Sequence, residues 1–156
     1  MTYDGAGGDK SAGADDLEGE LMPWPHITAG YLAVLALVYC ALAVHVVLLR
    51  VRNRAAFGDA NSPELRSAIR SHAHFAEYVP IIALMVAMLE MAGAPPLRVH
   101  LLMAGLLLSR LMHPIGMRAA PLTLQFRIFR TGGMWLTQIV LVAAAVTLLT
   151  RVLREN

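Results

Sequence analysis

The chain has 156 residues, 57% of them apolar and only 15% charged, with a formal net charge of +2. That length fits one domain, and the composition excludes an ordinary soluble one. With Cys40 as its sole cysteine the chain has no internal disulfide, so no oxidising-compartment framework is implied.

The first 26 residues hold six acids (Asp4, Asp9, Asp15, Asp16, Glu18, Glu20) against Lys10, with Gly and Ala between them. Such a segment cannot bury a core, so residues 1–26 read as a disordered acidic tail ahead of a membrane domain over 27–153. It is no signal peptide, because the positive n-region is missing and the apolar stretch that follows is too long. The tail carries −5, leaving +7 for the remainder.

Trp24, between Pro23 and Pro25, reads as an interfacial anchor before the first span. Ile27 to Leu49 is 23 residues without Lys, Arg, Asp or Glu, long enough at 1.5 Å per residue to cross a hydrocarbon core of about 30 Å. It ends in Arg50, Arg52 and Arg54. Ser62-Pro63-Glu64 then supplies an N-cap, a proline at the first helical position and an acid in the first turn. The second helix stops near Gly93, where Pro95 and Pro96 forbid continuation. A third, Leu97 to Met117, fades around Gly116, and Pro121 breaks the chain before a fourth span, Thr131 to Thr150, also without charge. The fold class predicted is an all-α integral membrane protein, a four-helix transmembrane bundle.

Positive charge is asymmetric. It clusters at the first-to-second connection (Arg50, Arg52, Arg54, Arg66, Arg70) and at the third-to-fourth (Arg110, Arg118, Arg127, Arg130). The other side has only Lys10, Arg98, Arg151 and Arg154. By the positive-inside rule both Arg-rich ends are cytoplasmic and both termini outside.

The most informative stretch is Arg70-Ser-His-Ala-His-Phe-Ala-Glu-Tyr-Val-Pro80, at the mouth of the uncharged run Ile81 to Leu89. Ionisable groups at that depth are expensive and are functional suspects with partners to be found. At helical spacing Arg66, Arg70, Ala73 and Glu77 share a stripe, with His74 beside it, a face suited to a zwitterionic or polyanionic ligand. Arg70 with Glu77 also reads as a structural ion pair. His72 points away from the stripe, Tyr78 packs between helices, and Glu90 falls at the outer headgroups. His45, near the cytoplasmic end of the first helix, reads as an interface histidine or a site residue. Gly132 and Gly133 allow close helix approach. His72 and His74, at i and i+2, diverge on a helix, so no metal site is expected.

With these residues in view, the chain resembles the MAPEG family, the membrane-associated proteins in eicosanoid and glutathione metabolism. The resemblance rests on Arg70-x-His72-x-x-x-x-Glu77-Tyr78-x-Pro80, with the looser Arg110-x-x-His113 and Arg130-x-x-Gly133, and covers about Ile27 to Leu149. It implies a homotrimer that binds glutathione, as co-substrate, between neighbouring subunits near the cytoplasmic face. Arg70 and Glu77 match positions that contact glutathione or organise its site. His74 stands where the family usually has Asn, Arg110 and His113 match the third-helix pattern, and Met117 stands where many members have a Tyr. Arg130, or alternatively Arg127, matches the arginine that stabilises the thiolate.

The residue types suit that ligand. Glutathione carries two carboxylates and an ammonium, and Arg offers the planar recognition of carboxylates that Lys cannot copy; the chain has twelve Arg and one Lys. A thiol with a free pKa of about 8.5 needs a nearby cation to become a nucleophile at neutral pH. The expected partners are further copies of the chain, membrane lipids and a lipophilic substrate arriving from the bilayer, with no nucleic acid. The expected location is a bacterial inner membrane with the site facing the cytoplasm. Two other classes stand beside the enzyme: a non-catalytic scaffold or ligand-binding protein, and an anion transporter, against which the gathering of charge at one face counts.

Overall fold

The structure, a computed structural model, describes residues 24–118 and 123–155, with only the backbone of Met117, Arg118 and Glu155. The tail reading, through residue 23, and Pro121 lie outside the described residues. Four helices are long and apolar enough to cross a membrane: α1 (His26–Arg52), α2 (Pro63–Met91), α3 (Pro96–Arg118) and α4 (Gly133–Glu155). The fourth span starts earlier than its uncharged run, because a π-helical segment, Phe126–Gly132, leads into α4 without a break. Arg127 and Arg130 therefore sit inside a helix and not ahead of it.

The helices do not form a closed square. α2 and α3 pack against each other at the centre; α1 touches both, α4 touches both, and α1 and α4 do not meet among the described residues. Burial follows helical spacing. On α2 the stripe is Phe75, Val79, Ile82, Val86 and Leu89; on α3 it is Val99, Met103 and Leu106; on α4, Val140 and Ala144. Val34, Leu37, Val44, Ile139 and Val146 remain exposed on the outer helices, as a bundle meeting lipid requires.

Local signals explain the ends. Ser62 Oγ accepts from Leu65 N at 3.3 Å, the N-cap expected from Ser-Pro-Glu. The α2–α3 turn is closed by Gly93 at φ +76°, a conformation open to glycine at little cost. In the α1–α2 loop Arg50 Nη1 donates to the carbonyls of Ala55, Ala56 and Gly58, so this arginine ties the loop. Arg66 binds the Asp59 carboxylate, which holds the Asp59 carboxyl below its usual range, chiefly through that hydrogen bond.

Glu90, at the end of α2, ties that helix to the start of α1. Its carboxylate accepts from the backbone of Ile27 and Thr28 and from the Thr28 hydroxyl, at 2.8, 2.8 and 2.6 Å. It therefore satisfies orphan N–H groups at the start of α1 and lies at the positive end of that helix.

Candidate functional site

The buried stripe of α3 changes character along its length. After Leu106 the same face carries Ser109, Arg110, His113 and Gly116, all buried. Arg110 is only 3% exposed, and a buried guanidinium must be bonded to persist. It donates from Nε to Ser109 Oγ at 3.2 Å, from Nη1 to the His74 carbonyl at 3.0 Å, and from Nη2 to Thr137 Oγ1. Thr137 in turn donates to the Gly133 carbonyl at 2.8 Å, and Ser109 to the Leu106 carbonyl at 2.7 Å. One side chain thus clamps α2, α3 and α4 together.

Around it the rings stack. The Arg110 guanidinium carbon lies 5.8 Å from the centre of the Tyr78 ring, within cation–π range. Tyr78 stacks on His74 at 6.1 Å, one turn earlier on α2. His74 meets His113 edge-on at 5.1 Å, and its Nδ1 lies 3.5 Å from a Glu77 carboxylate oxygen. His113 is buried, and among the described residues neither of its ring nitrogens has a hydrogen-bond partner. Buried polar atoms without partners are uncommon and call for an explanation.

The α3–α4 contact is set by glycine. A Cβ built on Gly116 would lie 2.2 Å from the backbone nitrogen of Arg130, so the two backbones meet there. Gly133 is close too, 3.3 Å from Met112 Cβ, whereas Gly132 has room; only Gly133 of the expected pair makes the tight approach. This contact brings Arg130 to the turn that carries His113. Its guanidinium lies over Phe126 at 5.0 Å.

The expected site residues fall into two groups. His74, Glu77, Arg110 and His113 form the cluster, and Arg70 and Arg130 lie within coulombic reach of His74. Of these Arg70, Glu77 and Arg130 are exposed in the single chain. Arg127 is exposed, and no described side-chain contact brings it to the cluster. The Arg70–Glu77 ion pair is not formed; Glu77 pairs with His74. The side chain of Met117 lies outside the described residues. His72 stacks on Tyr39 at 4.6 Å, away from the cluster. His45 lines a separate cavity of about 250 Å³ with Ser67 and Ser71.

Tyr78 packs between helices as expected, against His74 and the Arg110 guanidinium. Sequence reasoning missed Ser109, Thr137 and Gly116. Gly116 sat three residues past His113 on the buried face. Ser109 and Thr137 carried no signal, since their role exists only across helices.

The fold and this cluster define a class: a four-span helical integral membrane protein with a buried Arg–His–Tyr network at one end. The chain belongs to the MAPEG family, which it matches over residues 28–150. Among curated proteins it is similar to inner membrane protein YecN of Escherichia coli, strain K12. The two are 40% identical over 90 residues, covering 58% of this chain and 69% of the relative. The protein of the same name from Escherichia coli O6:H1 matches to the same extent. No solved structure matches the chain significantly.

Proposed function

We propose that the chain is a glutathione-dependent membrane transferase or peroxidase acting on lipophilic electrophiles or hydroperoxides. The observation that carries this reading is His113, buried with neither ring nitrogen partnered among the described residues, in contact with His74 and one helical turn from clamped Arg110. A polar ligand entering beside these rings gives those nitrogens a partner. Glu77 supplies an acceptor for the ligand ammonium, Arg70 a cation for a carboxylate, and Arg130 a cation for the sulfur.

In the transferase reaction the thiol proton leaves to solvent and the thiolate, held by Arg130, attacks the electrophilic carbon. A C–S bond forms and the leaving group departs with its electron pair. In the peroxidase reaction the thiolate attacks the outer peroxide oxygen and the O–O bond breaks. The alkoxide takes a proton, and a second glutathione reduces the sulfenic acid to give disulfide and water.

A homotrimer belongs to the same proposal. The side chain of Glu77 is 62% exposed at the fifteenth of the 29 residues of α2, a costly position against lipid. A neighbouring copy covers it and completes the ligand's surroundings. The membrane is a bacterial inner membrane, with this end facing the cytoplasm.

The test is equilibrium binding of glutathione to detergent-purified protein, following thiolate ultraviolet absorbance between about pH 6 and 9, around the free thiol value of about 8.5. Saturable binding with a lowered thiol pKa, lost in Arg130→Ala and kept in Arg127→Ala, supports the enzyme. Absence of binding at millimolar glutathione refutes it and leaves the scaffold reading.

A further inference from the structure

Between α1 and α2 lies a groove of about 270 Å³ that the glutathione chemistry leaves unused, with Leu32, Leu35 and Tyr39 on one wall and Phe75, Ala76 and Pro80 on the other. These positions run from the seventh to the fourteenth of the 27 residues of α1 and from the thirteenth to the eighteenth of the 29 of α2. The groove therefore lies within the span. Leu35 and Phe75 are buried at its floor, and Leu32, Tyr39, Ala76 and Pro80 are exposed at its rim, so it opens to the hydrocarbon. None of the described residues lining it is charged, which excludes an ionic headgroup.

One polar group stands out in this apolar wall. Pro80, inside α2, has no N–H, so the carbonyl of Ala76, four residues earlier, loses the donor that the helix ladder would supply. Membrane helices tolerate such a proline where a neighbouring helix, a hydroxyl or a water meets the freed group. Among the described residues no side chain donates to the Ala76 carbonyl, and Tyr39 is the sole hydroxyl lining the groove. Tyr39 makes ring contacts but no hydrogen bond among the described residues: it stacks on His72 at 4.6 Å and tilts against Phe75 at 5.4 Å. Toward the α1–α2 loop the groove is thus walled by aromatic rings.

The electrostatic complement of such a wall is a neutral ring bearing an O–H. Its hydrogen meets the Ala76 carbonyl, its oxygen accepts from Tyr39, and its face packs on Tyr39 and Phe75 at the usual ring spacing of about 4.5–7 Å. The volume corresponds to about nine waters at about 30 Å³ each, room for one ring with its hydroxyl while an apolar tail lies against exposed Leu32. An acyl chain would leave the carbonyl unmet, and an aliphatic alcohol would leave the rings unstacked.

We propose that this groove binds a lipophilic phenol, an aromatic ring with a free hydroxyl and an apolar tail, taken from the bilayer. The inference rests on α1 and α2 alone and is independent of the glutathione reading.

The experiment is equilibrium binding of para-nonylphenol to the full chain in lipid nanodiscs. Two probes stand beside it: para-nonylanisole, in which a methyl group replaces the hydroxyl hydrogen, and decanol, which has the hydroxyl without the ring. The phenol is expected to bind saturably, about ten-fold tighter than the ether for the one hydrogen bond and tighter than decanol through ring packing. Pro80→Ala restores the N–H that meets the Ala76 carbonyl, so phenol affinity should fall about ten-fold, to that of the ether, with no fall in Tm. Ala76→Phe fills the groove and should abolish saturable binding, a second reading should Pro80→Ala fold poorly. Ile139→Ala, on α4, should leave the affinity as it is. Equal affinity for phenol and ether, or undiminished binding in Pro80→Ala or Ala76→Phe, would overturn the proposal. So would a photoreactive side chain in place of Leu32 that links two chains at saturating nonylphenol, because a second copy would then fill the groove.

Discussion

Replacing Gly116 by Ala tests the architecture that carries the cluster. The added Cβ would lie 2.2 Å from Arg130 N and 2.6 Å from Arg130 Cα and the Phe129 carbonyl carbon, while ordinary contact begins at 3.4 Å. All three atoms are backbone, so no rotamer change relieves the overlap, and α3 must part from the start of α4 by more than about 1 Å. Overpacking of this kind costs up to about 3 kcal/mol, and alanine returns about 1 kcal/mol through helix propensity. The net loss is about 2 kcal/mol, or a fall in Tm of about 6 °C for a chain of this length. Because the displaced segment holds Arg130, glutathione-dependent turnover should fall about a hundred-fold, the usual cost of a 1 Å misplacement. Two other glycines serve as controls. Gly132→Ala meets nothing nearer than 3.7 Å and should leave Tm unchanged, whereas Gly105→Ala meets a movable Val140 methyl at 3.0 Å and should fall between. Melting curves in detergent decide the matter. A Gly116→Ala protein with wild-type Tm would refute the close contact, and with it the placing of Arg130 beside His113.

Glu90→Ala removes the acceptor of two backbone N–H groups and a hydroxyl at the head of α1; a loss of about 2 kcal/mol should appear as roughly thirty-fold faster amide exchange at Ile27 and Thr28, with α4 unaffected. Tyr78→Phe keeps the ring between His74 and Arg110 and should change stability by less than about 1 kcal/mol, whereas Tyr78→Ala should cost about 2 kcal/mol because the ring is only half-buried. Arg110→Met leaves Ser109, Thr137 and the His74 carbonyl without their donor and should destabilise by about 3 kcal/mol, the penalty of breaking a buried polar network. The Asp59 carboxyl, lowered from 3.8 chiefly by the Arg66 hydrogen bond, makes the loop tether fully present above that value and lost as pH falls through the lower folded-state value; a carboxyl NMR titration should show the midpoint return toward 3.8 in Arg66→Gln.

How much of this was legible in the sequence follows from range. The four spans were readable because bilayer thickness sets a length that uncharged runs display directly, and the Ser62 cap and the Gly93 turn are local chemistry. The bond from Glu90 to α1 was not readable, because its partners are backbone groups 62 and 63 residues away. The start of the fourth helix was also obscured. Arg127 and Arg130 look like flanks to hydropathy, yet the helix runs through them from Phe126.

Arg110 shows the limit most clearly. The family resemblance pairs it with His113 in the third-helix pattern of a glutathione site. Its burial reverses the emphasis. Three of its N–H groups serve protein acceptors on three helices, and the His74 carbonyl it holds belongs to the residue whose ring meets His113. A guanidinium bonded this way fixes where the imidazoles stand, while Arg70 and Arg130, the cations of the proposed glutathione site, are exposed in the single chain. A division follows that kinetics can separate. Loss of Arg130 should abolish thiolate formation at unchanged stability. Loss of Arg110 should weaken stability and glutathione binding together, and Arg110→Lys, which can reach one acceptor but not three, should restore little of either. If Arg110→Met kept wild-type stability and lost only turnover, Arg110 would be a ligand contact and the clamp would be wrong.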